Sequence, residues 1–161
     1  MNRTMMKLSL AASLCATLLL GGCKPHEPSI PATNVQARLT GDLPENPLAW
    51  RAITSWLDGN AGTTSTLYGN DAAVNYSRTH DDAKYPAGAV LAVVTWAQRD
   101  DPHWFGAKIP GAPQSVEYVR FKTQPEYSVY RGAPLKKVEA ASDEAAKRIS
   151  FITQQRAAVV P

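Results

Sequence analysis

The chain has 161 residues, of which 44% are hydrophobic and 19% charged, a composition typical of a single globular domain that excludes a disordered or collagen-like protein. Its formal net charge is +3, but Arg3 and Lys7 lie in a segment that we expect to be removed. Fifteen basic and fourteen acidic side chains then remain, which nearly balance. We therefore expect no nucleic-acid partner, since such a protein needs a clustered basic surface.

The first 22 residues have the features of a bacterial signal peptide. Met1–Lys7 carries two basic residues and no acidic one, and Leu8–Leu20 is a predominantly apolar run of thirteen residues. This run is shorter than the about 20 apolar residues that a transmembrane helix needs. The sequence Leu-Gly-Gly-Cys that ends at Cys23 resembles a lipobox, at which the chain is cut before an acylated cysteine. An ordinary signal peptide that contains a cysteine is the alternative.

This interpretation divides the chain into three parts. Residues 1–22 are the signal peptide, residues 23–45 are the lipidated Cys23 with a proline-rich tether, and residues 46–161 are the folded domain. Acyl chains on Cys23 anchor the protein to a membrane. Because Lys24 rather than an aspartate follows Cys23, we expect the outer membrane of the cell envelope, with the domain facing the periplasm.

Cysteine usage limits the chemistry that the domain can perform. The chain has two cysteines, of which Cys15 leaves with the signal peptide and Cys23 carries lipid. The domain then has no thiol for a disulfide, a thiolate metal site or a nucleophile. No Cys-x-x-Cys-His sequence occurs, so we expect no covalently bound haem.

Apolar patterning predicts an α+β fold in which a mostly antiparallel sheet is flanked by N- and C-terminal helices. The first helix is predicted to begin at Asn46 and end near Gly59, because its apolar residues recur at helical spacing. A short helix is predicted from Asp71, and a last helix is predicted with Ser142 as its cap.

The strands are predicted between these helices. Ala89–Ala97 is almost continuously apolar and β-branched, which predicts a central strand buried on both faces. Ser115–Lys122 and Tyr127–Arg131 predict a hairpin. Arg99–Gln114 contains three prolines and two glycines, which predicts a long loop.

Two clusters of histidine and acidic residues are candidates for a metal site. If their loops met, His80, His103 and Asp101 would offer two imidazoles and a carboxylate, a set suited to zinc, copper or iron. The alternative is that these residues only shape turns, for which Asp is a common residue. A His–Asp pair also suits acid–base catalysis, although no nucleophile accompanies it.

The predicted loop also contains Trp104 and Phe105. Large aromatic residues in a constrained loop either cover the core or line a cavity, so the loop is the best candidate for a functional surface. Together with Asp100, they form the predicted surface for a ligand or a protein partner.

Several stretches resemble the cytochrome P-460 family, and the resemblance spans residues 47–161. They are Tyr85–Val90 (Tyr-Pro-Ala-Gly-Ala-Val), Trp96–Pro110 with its Asp-Asp-Pro-His-Trp-Phe-Gly-Ala-Lys-Ile-Pro ending, Ser115–Val119 (Ser-Val-Glu-Tyr-Val), Thr66–Asn70 and Gln155–Pro161. The resemblance implies an α+β fold with a large antiparallel sheet, and a homodimer, since members are often dimeric. Haem-bearing members hold c-type haem on Cys-x-x-Cys-His near the C-terminus and oxidise hydroxylamine or bind nitric oxide. Arg148–Arg156 has neither Cys nor His, so no haem ligand transfers to a named residue.

The sequence thus favours a lipid-anchored binding or interaction module over an enzyme, with an unidentified protein or small molecule as partner. The first alternative is a redox or gas-binding protein that holds haem or a metal non-covalently through His80 or His103. The second is a hydrolase or isomerase that uses His103 with Asp100 or Asp101.

Overall fold

The computed structural model describes residues 34–158, so the predicted signal peptide, the Cys23 lipidation site and the chain end from Val159 lie outside the described residues. In this part of the chain, six antiparallel strands form one sheet in sequence order, and two α-helices pack on it. The elements are β1 (Arg51–Asp58), β2 (Thr63–Gly69), α1 (Asp71–Thr79), β3 (Val90–Asp100), β4 (Lys108–Phe121), β5 (Pro125–Arg131), β6 (Lys136–Val138) and α2 (Ser142–Thr153). The mostly antiparallel α+β fold is therefore confirmed. Neither helix within residues 34–158 is long and apolar enough to cross a membrane.

Strand β3 lies inside the sheet and is buried on both faces, as its apolar sequence predicts. Leu91 and Val93 belong to a core cluster that α1 and α2 cover, whereas Ala92 and Val94 belong to a second cluster on the opposite face. All four side chains are completely buried. Because successive side chains of a strand point to opposite faces, only a continuous apolar run can fill both cores.

The predicted first helix is wrong, because Arg51–Asp58 is strand β1. A bulge between Ala52 and Thr54 leaves Ile53 as an extra residue in the pairing with β2. The extra residue shifts the alternation of the strand, so Ile53 and Trp56 contact the same core although they are three positions apart. This spacing imitates one turn of an amphipathic helix, which explains the error.

The helix-start signal before β1 has a smaller effect than predicted. The Asn46 side chain accepts a hydrogen bond from the backbone N–H of Leu48 at 3.1 Å, as a cap does. Only a single 3₁₀ turn, Pro47–Ala49, follows before the chain becomes extended.

The predicted loop Arg99–Gln114 is mostly strand, which corrects a second expectation. Strands β3 and β4 continue as a long hairpin, and only residues 101–107 form the turn. The pairing shifts register on both sides of Trp96, where Pro110 and Pro113 lie opposite β3. Bulges at these points let the prolines enter the ladder, so the prolines do not end the strand.

The remaining elements agree with the predictions, except for the cap of the last helix. The helix predicted from Asp71 and the hairpin of β4 and β5 are present. The Ser142 cap is wrong by one position, because Ser142 is the first helical residue and Ala141 occupies the cap without a side-chain bond.

Part of the predicted tether belongs to the folded domain. Within residues 34–45, the carbonyl of Ala37 accepts a hydrogen bond from the indole N–H of Trp96 at 2.9 Å. The carbonyl of Glu45 accepts one from the hydroxyl of Tyr118 at 2.6 Å. The segment covers the sheet face opposite the helices, because the apolar residues of that face would otherwise remain exposed to water. The domain therefore includes residues before Asn46.

Candidate functional site

The turn between β3 and β4 carries the two most exposed large hydrophobic side chains of residues 34–158. Trp104 is 73% exposed and Phe105 is completely exposed. They therefore do not cover the core, and the completely exposed Phe105 does not line a cavity, so neither expectation describes this pair. We call Asp100, Trp104 and Phe105 the hairpin tip.

Local hydrogen bonds order this turn. The backbone N–H of Asp101 donates to the carbonyl of Ala107 at 3.0 Å, and the N–H of Ala107 donates to the carbonyl of Trp104 at 3.0 Å. Gly106 has a φ of 78°, a conformation that glycine adopts without steric cost. Lys108 forms an ion pair with Asp100 at the base of the turn. The aromatic pair is therefore presented on an ordered support.

The predicted metal ligands do not come together in the described structure. The carboxylate of Asp101 accepts a hydrogen bond from the backbone N–H of His103 at 2.8 Å, so these two residues build the turn. His80 caps the end of α1. A row of contacting rings leads from it through Tyr76 and Tyr85 to Phe121, which lies beside the start of β3. Eleven residues of β3 separate the two places by about 30 Å. Among residues 34–158, no group of three or more His, Cys, Asp or Glu side chains could hold a metal ion.

His80 instead belongs to a small cluster at the end of α1. Its ring stacks on that of Tyr76 with the centroids 4.1 Å apart, and Thr79 Oγ1 lies 2.8 Å from His80 Nδ1. The hydroxyl of Tyr76 donates to the carboxylate of Asp82. This hydrogen bond raises the pKa of Tyr76 to about 12 and lowers the pKa of Asp82 below its ordinary value.

A small polar cavity separates this cluster from the end of α2. Its volume is about 70 Å³, and its lining includes His80, Asp81 and Arg156. Arg156 donates to the carboxylate of Asp81 at 2.8 Å and so links the chain after α2 to the loop after α1. The cavity is smaller than the roughly 300–1,000 Å³ that is typical of small-molecule sites, so it suits ordered water better than an organic ligand.

A buried charged network is the feature that sequence reasoning missed. Arg148 of α2 donates two hydrogen bonds to the Glu117 carboxylate, and the hydroxyl of Tyr127 donates a third at 2.6 Å. Burial is the main cause of the raised pKa of Tyr127, and the hydrogen bond to Glu117 raises it further. Hydrogen bonding to Glu117 also raises the pKa of Arg148. The available signal was a lone acidic residue in the apolar stretch Ser-Val-Glu-Tyr-Val.

Comparison with known families gives one match. The family described as Cytochrome P460 matches residues 44–132, which is more than half of the chain. The matched region begins before β1 and ends after β5, so it contains the five longest strands and α1. Comparison with curated proteins finds no match.

The residues present do not fit the haem that gives this family its name. The Cys-x-x-Cys-His sequence of haem-bearing members has no counterpart, since the only cysteines are Cys15 and Cys23. The histidines of residues 34–158 are His80 and His103, both exposed. The cavity of about 70 Å³ beside His80 is too small for a porphyrin. The family match nevertheless covers five of the six strands described, and the chain belongs to the cytochrome P460 family.

Proposed function

We propose that this protein is a lipid-anchored component of the bacterial cell envelope whose cytochrome P460 domain is a non-catalytic binding module. Its contact surface is the hairpin tip. The observation that carries the proposal is the exposure of Trp104 and Phe105. Burial of each ring against a partner would contribute about 1.5–3 kcal/mol, and exposed apolar groups of this size are typical of interaction sites.

The order of the turn also supports a binding role. The two backbone hydrogen bonds restrict the conformations of the tip before any partner binds, and the exposed ion pair between Lys108 and Asp100 adds a smaller contribution. A preorganised surface loses less conformational entropy on association than a flexible one. An ordered turn with exposed aromatic residues therefore suits recognition.

The histidine environments favour binding over catalysis. Asp101 bonds the backbone N–H of His103, not its ring, and the ring nitrogen of His80 has a threonine hydroxyl as neighbour. Within residues 34–158, neither imidazole has a hydrogen bond to a carboxylate, which a general acid–base pair would use. The hydrolase hypothesis, which pairs His103 with Asp100 or Asp101, is thus the weakest of the three.

The lipid anchor is inferred from the sequence alone. The basic start, the apolar run and the Leu-Gly-Gly-Cys sequence at Cys23 together favour acylation of that cysteine. Acylation would hold the domain close to a bilayer, and Lys24 favours the outer membrane with the domain in the periplasm. Mass spectrometry of the mature protein should find Cys23 as an acylated N-terminus, and an unmodified Cys23 would contradict the anchor.

Photo-crosslinking in living cells tests the binding surface. A benzoylphenylalanine at position 105 should yield adducts under irradiation, because the proposed partner contacts this side chain. The matched control places the same group at Leu48, which is 41% exposed but lies in the 3₁₀ turn before β1. Equal adduct formation at the two positions, or none at position 105, would contradict a specific surface at the hairpin tip.

The alternative is a redox or gas-binding protein that holds haem or a metal without a covalent bond. Family membership favours it, whereas the exposure of His80 and His103 and the size of the cavity do not. An absorption spectrum of the protein isolated from its native envelope decides between the two. A Soret band that is lost in His80→Ala or His103→Ala would support this alternative and contradict the proposal above.

A further inference from the structure

We propose that the hairpin tip binds the phospholipid bilayer that carries the lipid anchor, with Trp104 and Phe105 inserted at its interface. This inference rests on the proposed function, since it takes Cys23 to be acylated and the hairpin tip to be the contact surface. It names the partner of that surface as lipid and not another protein.

The first argument is the position at which the chain joins the domain. The side-chain amide of Asn34 donates to the carbonyl of Pro110 at 2.6 Å, and Arg99 donates to the Asn34 side chain at 3.3 Å. Arg99 and Pro110 lie on the two strands of the hairpin, close to its turn. The chain therefore joins the domain close to the turn that carries the aromatic pair.

The length of chain before Asn34 strengthens this argument. Cys23 and Asn34 are eleven positions apart in the sequence. Even a fully extended chain of that length spans at most about 40 Å. An acylated Cys23 thus keeps Asn34 and the strand ends beside the turn within about 40 Å of the membrane surface, and the hairpin tip is the adjacent part of the domain.

The second argument is the distribution of exposed apolar side chains. The four most exposed large ones among residues 34–158 are Val35, Leu57, Trp104 and Phe105. All four lie toward the same end of the sheet, where β1 and β3 end and β4 begins. Val35 follows Asn34, and Leu57 pairs with Thr64, which pairs in turn with Trp96 of β3. The exposed apolar side chains at this end of the sheet are therefore not confined to the aromatic pair, as expected of an end that faces a membrane.

The third argument is chemical. Tryptophan is enriched at membrane interfaces, where its ring contacts acyl chains and its N–H reaches the polar headgroups. The acidic and basic residues in and beside the turn balance, with Asp100 and Asp101 against Arg99 and Lys108. Insertion should therefore depend on apolar burial more than on anionic lipid, and should be insensitive to salt.

Fluorescence quenching in vesicles tests the inference with the acylated protein purified from membranes. The probe is a vesicle of phosphatidylethanolamine and phosphatidylglycerol with brominated acyl chains, compared with the same vesicle without bromine. We expect bromine to reduce the emission of the wild-type protein. Trp104→Phe should lose most of this reduction, because it removes the inserted indole and retains an apolar ring. Trp56→Phe, which changes an indole on the helix-covered face, should keep it.

Flotation of the vesicles separates the two proposals. Protein that floats with the vesicles but shows no quenching, or equal quenching in wild type and Trp104→Phe, overturns membrane insertion and leaves the anchor intact. Protein that does not float contradicts the lipid anchor itself. The crosslink at position 105 gives an independent result: a phospholipid adduct supports insertion, whereas a protein adduct overturns it and retains the binding module.

Discussion

The guanidinium of Arg148 on α2 donates to both carboxylate oxygens of Glu117 on β4, at 2.7 Å and 2.8 Å. Only 6% of Glu117 is exposed, so its charge is compensated by these bonds and by the hydroxyl of Tyr127 and not by water. The contact joins α2 to the central part of the sheet. Because the family match ends at residue 132, this network attaches a helix that lies beyond the matched region.

Replacement of Arg148 by Met should destabilise the domain by about 2–4 kcal/mol, since it leaves a buried carboxylate with a single hydroxyl donor. The loss is expected at the lower end because the Arg148 side chain is 32% exposed. Urea denaturation measures it as a lower midpoint. The control is Arg131→Met, which breaks the exposed ion pair with Glu144 and should cost less than about 1 kcal/mol. Similar losses of stability in both variants would show that the buried network contributes no more than an exposed ion pair.

Gly41→Ala tests whether residues 34–45 are part of the fold. Gly41 has a φ of 131°, and an added Cβ would lie 2.0 Å from the carbonyl oxygen of Leu135. We expect a loss of about 2–3 kcal/mol, because the segment must move away from the sheet or accept strain. Hydrogen exchange of the variant should be faster at the Asp42 and Leu135 amides, which form hydrogen bonds across this contact in the wild-type protein.

The control for this prediction is Gly59→Ala, since an added Cβ there would have no atom within 4 Å. It should leave both exchange rates and stability nearly unchanged. If the two variants behave alike, the segment is a tether, as the sequence alone suggested.

Local sequence signals predicted the elements that depend on local chemistry. The apolar run of β3 and the helix start at Asp71 both mark elements found in the structure. β1 was missed because a bulge at Ile53 changes the period of its apolar residues from two to three. A bulge is set by pairing with a neighbouring strand, so a single segment cannot reveal it.

The candidate site likewise combines features that the local sequence predicts with features that depend on distant parts of the chain. The prediction that Trp104 and Phe105 form a functional surface follows from their place among turn residues, but their exposure depends on the surrounding fold. The separation of His80 from His103 depends on the topology, because each lies at a different end of β3. The partner of Glu117 is Arg148, thirty-one positions away, which no local pattern indicates.

Titration of Asp82 should report the hydrogen bond from Tyr76. In the folded protein its carboxyl should titrate below 3.8, the ordinary value, because the phenol bonds the ionised form. Because the pKa of Asp82 is lower in the folded protein than in the unfolded chain, the hydrogen bond stabilises the fold at pH values above 3.8. This contribution is lost as the pH falls through the folded-state pKa. Carboxyl chemical shifts measure the midpoint. Tyr76→Phe should raise it, and Tyr85→Phe, which alters the same cavity, should not.

Asn70 joins the start of α1 to the start of β3, and its replacement should distinguish two kinds of hydrogen bond. Its side-chain oxygen accepts from the N–H groups of Ala73 and Val90 at 3.0 Å and 3.1 Å, and its amide donates to the carbonyl of Gly88 at 2.9 Å. Asn70→Ala should cost about 2–3 kcal/mol, because it removes the helix cap and leaves the N–H of Val90 unpaired. Asn70→Asp keeps both acceptor bonds and loses only the donor, so about 1 kcal/mol is expected from the same denaturation experiment. Equal losses in the two variants would mean that the bond to Gly88, not the cap, stabilises this junction.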